Sequence, residues 1–118
     1  MTQTALVARG RVVCPALCVA DNAVTRMRGL LGRSSLEYGE GLLLRPAGSI
    51  HTAFMRFPID AVFLDADMRV LRIEPNLRPW RMAAQRGARA VVELPAGAAE
   101  AMGLAVGLTL GVAECSLR

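Results

Sequence analysis

Short apolar segments separated by turn-forming residues constrain most strongly how this chain can fold. Each segment is rich in aliphatic or β-branched residues, and glycine, proline or aspartate stands between neighbouring segments. Runs of this length and composition are typical of β-strands. Strands are therefore predicted at residues 4–8, 11–20, 42–44, 59–64, 69–74, 88–94 and 108–114, with an extended stretch at 50–56.

Helical signals occur at two places. Asp21-Asn22 is a candidate N-cap for a helix over Ala23–Leu31, which Gly32 would end. A second, alanine-rich helix is expected over Pro95–Met102. The predicted strands do not alternate with helices, so the sequence favours an α+β fold rather than a doubly wound parallel sheet. We expect a small, mostly antiparallel, curled sheet or barrel with two short helices.

Turn chemistry refines this expectation in three segments. Pro15 cannot donate a hydrogen bond to a neighbouring strand, so it predicts a sheet edge or a β-bulge. The runs 59–64 and 69–74 predict a β-hairpin across Asp65-Ala66-Asp67-Met68. An aspartate pair could suggest glycosidase or metal chemistry, but two aspartates in a hairpin turn usually serve the turn itself. Residues 75–80 contain two prolines and predict a loop.

The length and composition indicate one small globular domain. The chain has 118 residues, of which 53% are hydrophobic and only 4% aromatic, so aliphatic side chains must fill the core. The first twenty residues lack a basic segment followed by a continuous apolar stretch, because Arg9 and Arg11 interrupt it. We therefore expect no signal peptide, no membrane span and a cytoplasmic location.

The basic residues exclude several mechanisms. All 14 are arginine, so no lysine is present to form a Schiff base or to contact a phosphate in a P-loop. The net charge is +4, and the arginines are spread from Arg9 to Arg118 among ten acidic residues. A nucleic-acid-binding surface would gather them on one face, so this pattern argues against nucleic acid as the partner.

The cysteines give weak support for a metal site. Cys14, Cys18, Cys115 and His51 could in principle form a Cys₃His zinc set. In an extended segment, however, the α-carbons of Cys14 and Cys18 would lie about 13 Å apart. We therefore interpret them as small apolar thiols, free in a reducing compartment. The sequence also lacks a G-x-S-x-G nucleophile motif.

Three blocks of residues carry a family pattern. The first is RGLLGR at 28–33, followed by GLLL at 41–44; the second is FMRFPIDAVFLD at 54–65; the third is VVELPAG at 91–97. In this order and spacing, across about residues 17–112, they resemble domain-of-unknown-function family 192. The resemblance implies a compact, β-rich α+β fold. It implies no activity, because the family has none assigned.

The chain departs from its relatives at several positions. Relatives often have tryptophan at Phe54, glycine at Met68 and aspartate at Leu108. Many of them also carry a signal or lipoprotein peptide, which we do not expect here. The missing acid at position 108 weakens any function that requires it.

The segment 49–56 contains the polar side chains that could form a site. In an extended strand, alternation would place His51 and Met55 on one face and Thr52 and Arg56 on the other. His51 is the single histidine, and beside Asp60 or Asp65 it could act as a general base. The competing interpretation is a half-buried histidine that bonds to a backbone carbonyl.

Two arginines and several carboxylates form a second candidate group. Arg28 and Arg33 could hold a carboxylate or phosphate, or could neutralise a helix end and pair with Glu93 or Asp60. The resemblance carries them together with Met55, which suggests a shared ion-pair network or pocket. Trp80 is either an exposed contact residue or a cap on the barrel end. The candidate ligand- or partner-binding residues are thus Arg28, Arg33, His51, Thr52, Met55, Arg56, Asp60, Trp80 and Glu93.

Three functions remain open at this point, and none requires a cofactor. The first is a non-catalytic binding or protein-interaction module, supported by the shortage of catalytic residues and by the loop at 75–82. The second is a small enzyme or a binder of a small anionic ligand that uses His51, Arg56 and Asp60. The third, a nucleic-acid binder, is the one the charge distribution supports least.

Overall fold

Nine strands and one short helix make up the architecture of the described residues. The computed structural model describes residues 2–22, 25–26 and 29–114. The elements are β1 (Thr2–Ala8), β2 (Arg11–Ala20), β3 (Glu40–Leu44), β4 (Ser49–His51), β5 (Ile59–Leu64), β6 (Val70–Leu77), β7 (Met82–Ala84), β8 (Ala90–Pro95), α1 (Ala98–Ala101) and β9 (Leu110–Glu114).

Seven of these strands form one curled sheet, in the order β6-β5-β8-β3-β2-β1-β9. Every neighbouring pair is antiparallel except β2 and β3, which are parallel. The two edge strands meet at one end, where Arg69 bridges to Thr109 and the Val70 amide donates to the Leu108 carbonyl at 2.8 Å. The sheet is therefore a half-barrel. This confirms the prediction of a curled, mostly antiparallel sheet.

The first hairpin shows how local sequence sets the register. Arg9 and Gly10 connect β1 to β2 with φ values of 51° and 76°, which is the backbone of a tight two-residue turn. Further along, Thr4 is opposite Leu17 whereas Leu6 is opposite Cys14. The extra residue on β2 forms a β-bulge at Pro15, where a missing N–H is tolerated.

Both faces of the central strands β5 and β8 are buried. Side chains that alternate along a strand point to opposite faces, and directly opposite residues on neighbouring strands share a face. One face contributes Val62, Leu64, Val92 and Leu94 to the first apolar cluster. The other contributes Ile59, Ala61, Phe63 and Val91 to the second. A polar residue on either strand therefore faces a core unless a cleft reaches it.

Strands β4 and β7 form a separate two-stranded sheet beside the second cluster. Ile50 is opposite Ala83, and both are buried. His51 is opposite Met82, and both are exposed. This small sheet therefore covers the core with one face and presents His51 and Met82 on the other.

The prediction of two helices needs correction. Helix α1 is shorter than expected, because β8 extends to Pro95. Gly97, with φ at 89°, then directly precedes the helix. Of the predicted helix over Ala23–Leu31, residues 23, 24, 27 and 28 lie outside the described residues. Around them, Asn22 Oδ1 accepts the Thr25 amide at 2.9 Å and the Gly29 amide donates to the Thr25 carbonyl at 2.9 Å. The described residues thus form a largely β fold with one short helix.

Two segments differ from their predicted conformation. Strand β6 continues to Leu77, into the segment predicted as a loop. The extended stretch predicted for 50–56 ends at His51, because the Met55 amide donates to the Thr52 carbonyl at 3.1 Å and closes a turn. No helix of the described part of the chain has the length and apolarity needed to cross a membrane.

Candidate functional site

Buried Thr52 joins the turn after β4 to the loop before β7. Its backbone carbonyl accepts the amides of Met55 at 3.1 Å and Trp80 at 3.0 Å. Its hydroxyl accepts the Arg81 amide at 2.8 Å and lies 2.5 Å from the Arg78 carbonyl, to which it donates. The side chain is fully buried. Thr52, predicted as a binding residue, is thus the anchor of two loops.

The two anchored loops hold a pair of exposed aromatic rings. Phe54 and Trp80 have φ values of 66° and 64°, a left-handed conformation that costs a bulky residue about 1–2 kcal/mol. Their ring centroids lie 4.6 Å apart with the planes tilted by 59°, a geometry that aromatic pairs favour. Phe54 is 71% exposed, Trp80 61% and the nearby Met82 74%. We call Phe54, Trp80 and Met82 the aromatic patch.

Arginines flank the aromatic patch along the chain. Arg56, Arg78 and Arg81 are all exposed. Arg81 also donates from Nη1 to the backbone carbonyl of Trp80 at 3.3 Å, so its guanidinium is held at the backbone of a patch residue. The surface around the rings is consequently both apolar and cationic.

A cleft lies beside β4, and His51 is one of the residues that line it. It has a volume of about 260 Å³ and lies between β4, the loop after β3 and the segment containing Arg26 and Gly29–Leu31. Its apolar lining includes Leu30, Ile50 and Met55, and its charged or titratable lining consists of Arg26, His51 and Glu93 among the described residues. Three of the predicted site residues, His51, Met55 and Glu93, therefore meet here.

Glu93 lies deepest of the polar groups in this cleft. It is opposite Leu42 on β3 and Ala61 on β5, so its nearest cross-strand neighbours are apolar. The side chain is 5% exposed. Burial raises the pKa of its carboxyl group from 4.5 to about 7, because an ionised carboxylate is poorly solvated there.

Arg26 is the cleft residue that the sequence analysis missed. It is half-buried and shares the cleft with Glu93, yet the two form no ion pair. The ion pairs between described residues join Arg33 to Glu40 and Arg72 to Glu74. The spacing within the predicted helix could have identified Arg26. It precedes Leu30 by four residues, and residues four apart share a helix face.

Asp60 lies on the opposite face of the sheet from Glu93. Its Oδ1 accepts the Asn76 amide at 2.9 Å, and its Oδ2 accepts the amides of Gly97 and Ala99 at 3.1 and 3.0 Å. The carboxylate thus satisfies backbone donors at the start of α1. Asp60 is 1% exposed and does not line the cleft, so the structure does not bring it to His51.

The other predicted residues separate from the cleft. Arg33 pairs with Glu40 at 2.9 Å on the surface, not with Glu93 or Asp60. Arg56 is exposed beside the patch, and Arg28 lies outside the described residues. Among the described members of the suggested network or pocket, Arg33, Asp60 and Glu93 thus lie at different places.

Asp65 and the cysteines have structural environments. Asp65 Oδ1 accepts the amides of Asp67 and Arg69 at 2.8 and 2.9 Å, which is the turn chemistry expected of it. Burial raises the pKa of the Cys14 thiol to about 11. Cys115 lies outside the described residues. Within the part of the chain that is described, no three His, Cys, Asp or Glu side chains are placed to hold a metal ion.

Comparison with known proteins places this geometry in a family. Residues 5–112 match the profile of domain-of-unknown-function family 192, described as "Uncharacterized ACR". The UPF0127 protein of Pyrococcus furiosus is 34% identical over 105 residues, which cover 86% of this chain and 90% of the relative. That of Thermococcus sibiricus is 31% identical over 104 residues, covering 84% and 67%.

Two crystal structures share the fold. One, from Sinorhizobium meliloti, has a name that suggests a transcription regulator; its TM-score is 0.81 at 21% identity, covering 95% of this chain and 96% of the other. A protein of unknown function from Novosphingobium aromaticivorans has a TM-score of 0.76 at 21% identity, covering 92% and 83%. The sequence match over nearly the whole chain shows that this protein belongs to the uncharacterised domain-of-unknown-function family 192.

Proposed function

We propose that the protein is a non-catalytic binding module whose aromatic patch contacts a protein partner. The observation that carries the proposal is the left-handed backbone at Phe54 and Trp80, which turns two large rings toward solvent. Backbone strain of this kind persists only where surrounding contacts enforce it, and it concentrates at functional sites. The Thr52 hydrogen bonds supply those contacts here.

The ring pair by itself does not offset the backbone strain, and the Thr52 hydrogen bonds supply the rest. Strain at Phe54 and Trp80 costs about 2–4 kcal/mol together, whereas a favourable ring pair returns only about 0.5–1.5 kcal/mol. The indole remains 61% exposed instead of capping the barrel end. The rings gain further stabilisation when a partner removes them from water.

The size and charge of the surface define the partner. At 60–75% exposure the aromatic patch presents about 400 Å² of largely apolar area, roughly half of one side of a standard interface. It can therefore form the centre of an interface, where aromatic residues and arginine contribute most of the affinity. Arg56, Arg78 and Arg81 favour a partner segment that combines apolar anchors with acidic side chains.

The alternative of a small enzyme or anion-binding site built on His51, Arg56 and Asp60 has less support. The Asp60 carboxylate is occupied by three backbone amides on the far face of the sheet. It is therefore not available to orient His51 as a general base.

The test uses the full chain immobilised as bait in a lysate of its native cells. Trp80→Ala and Phe54→Ala remove one ring each, while Val12→Ala and Val106→Ala remove exposed apolar groups elsewhere, at 56% and 67% exposure. We expect one acidic partner to bind the unmodified bait and both valine variants. With that partner purified, Trp80→Ala should weaken binding about 30-fold or more, as expected for an interface hot spot.

Two results would contradict the proposal. One is a partner that binds the two ring variants as tightly as the valine variants. The other is a concentration-dependent dimer of the purified chain that Trp80→Ala abolishes, since the patch would then join two copies of this protein. Light scattering on the purified variants measures the second outcome directly.

For location we propose a reducing compartment such as the cytoplasm. The free thiols of Cys14 and Cys18 support it, because unpaired cysteines are usual where thiols stay reduced. Fractionation of native cells tests this proposal, and recovery in an exported fraction would contradict it.

A further inference from the structure

The cleft beside β4 contains two opposite charges that do not neutralise each other. Glu93 and Arg26 both line it, and within the described residues neither forms an ion pair with the other or with any third residue. An ion pair needs its charged atoms within about 4 Å of each other, and these two groups do not meet that condition. Here Glu93 lies on the central strand β8, whereas Arg26 belongs to a distant part of the chain that also lines the cleft.

Exposure ranks the polar groups by depth. Glu93 is 5% exposed at the floor, Arg26 is half-buried, and His51 is exposed at the mouth. The lining also includes the buried apolar residues Leu30, Ile50 and Met55. An occupant that matches this lining has a cationic end for the floor, an aliphatic body and an anionic end nearer the mouth.

We propose that this cleft binds a small zwitterion, a molecule with an ammonium group and a carboxylate on one aliphatic skeleton. The ammonium bonds to the Glu93 carboxylate and the carboxylate bonds to the Arg26 guanidinium. This site is separate from the aromatic patch, and the proposal does not depend on a protein partner.

The volume of the cleft agrees with such a ligand. At about 260 Å³ it holds roughly nine water molecules. It is smaller than the usual pocket for a drug-sized molecule, which begins at about 300 Å³. A compound the size of an amino acid matches this volume.

Charge complementarity separates a zwitterion from simpler ligands. A plain anion would pair with Arg26 but would meet the Glu93 carboxylate in a poorly solvated floor. A plain amine would pair with Glu93 and leave Arg26 without a partner from the ligand. A zwitterion supplies an opposite charge to both groups.

Four matched probes test the proposal by amide-resolved NMR titration of the full chain. δ-Aminovalerate carries both charges at opposite ends, L-leucine carries both at one end, and n-pentylamine and valerate carry one each. We expect one of the two zwitterions to bind at least tenfold more tightly than either singly charged probe, with shifts at cleft residues. The zwitterion that binds more tightly indicates how far apart the site holds the ammonium and the carboxylate of its ligand.

Glu93→Gln and Arg26→Gln remove the two charges separately, and Asp67→Asn is the matched control, since Asp67 is an exposed acid in the β5–β6 turn. We expect Glu93→Gln to reduce zwitterion affinity at least tenfold, Arg26→Gln to reduce it to that of n-pentylamine, and Asp67→Asn to leave it unchanged.

A pH series adds a second readout. The neighbours of Glu93 on β3 and β5, Leu42 and Ala61, are uncharged, so Arg26 and His51 are the charged or titratable described groups that share its cleft. Because an ammonium requires the ionised carboxylate, affinity should rise about tenfold from about pH 6 to about pH 8. His51→Gln is measured alongside as the control for the other ionisable side chain at the cleft; it should keep the rise, whereas Glu93→Gln should lose it.

Three outcomes would overturn the proposal. Valerate could bind as tightly as either zwitterion, which would make the cleft an anion site. Zwitterion binding could survive Glu93→Gln unchanged. The third outcome is that no probe shifts the amide signals of cleft residues, in which case the cleft would be a surface depression that binds none of these compounds.

Discussion

Replacing Thr52 by valine tests the anchor that holds the aromatic patch. Valine keeps the shape of threonine but removes the hydroxyl, which accepts from the Arg81 amide at 2.8 Å and donates to the Arg78 carbonyl at 2.5 Å. Both backbone groups then need other partners. A backbone group left without a hydrogen bond costs about 1–3 kcal/mol when buried.

The expected loss follows from where these groups lie. Thr52 is fully buried, but Arg78 and Arg81 are exposed residues whose backbone can recover some hydrogen bonding from water. We therefore take the lower part of the range for each group and expect Thr52→Val to lower the free energy of unfolding by about 2–3 kcal/mol. Thr52→Ser keeps the hydroxyl and loses one methyl group, so it should lose only about 1 kcal/mol.

Urea unfolding followed by fluorescence measures both variants, because the chain has one tryptophan and that residue lies in the anchored loop. The slope against urea should stay the same in all three proteins if only stability changes. A Thr52→Val variant as stable as the native protein, or more stable, would refute the role assigned to the hydroxyl. Equal losses in the valine and serine variants would refute it as well.

Three further predictions concern other buried groups. Burial raises the folded-state pKa of Glu93 from 4.5 to about 7, so the free energy of unfolding should fall by about 3 kcal/mol between about pH 4.5 and about pH 7. Chemical unfolding of Glu93→Gln across that range should lack this fall. Asp60→Asn disturbs three hydrogen bonds to backbone amides and should cost about 2–4 kcal/mol in the same assay, whereas exposed Asp67→Asn should stay within about 0.5 kcal/mol of the native protein. With the pKa of its thiol raised to about 11, only about one Cys14 thiol in a thousand is ionised at pH 8, so peptide mapping after iodoacetamide treatment should find it largely unmodified; rapid labelling would contradict this burial.

Local sequence patterns were sufficient for most of the strands. The alternation and turn residues around Asp65 predicted the β5–β6 hairpin, and the turn aspartate has the role expected of it. Pro15 predicted a sheet edge or a bulge, since a missing N–H is a property of one residue, and a bulge is what forms there. Features determined by residues that are neighbours in the chain could therefore be predicted from the sequence.

The site depended on contacts between distant residues. Asp60 bonds to amides 16, 37 and 39 residues further along the chain, so no local pattern could separate a helix-capping carboxylate from a catalytic one. The burial of Glu93 is evident only when Leu42 and Ala61 are known to be its neighbours. Arg26 was accessible in principle from helical spacing, but the family pattern drew attention to Arg28 and Arg33 instead.

The pairing of Phe54 with Trp80 was not predictable from sequence. Non-glycine residues rarely adopt positive φ, and nothing local to either residue requires it. Both take that conformation because one buried threonine binds both loops. Neither strand prediction nor residue composition contains that information.

Time-resolved fluorescence anisotropy of Trp80 tests most directly whether the aromatic patch is held rigid before any partner arrives. Because Thr52 fixes its loop and Phe54 contacts its ring, the indole should rotate only with the whole molecule, although it is 61% exposed. A dominant fast component of the kind usual for exposed side chains, on the picosecond-to-nanosecond timescale, would contradict a preorganised binding surface.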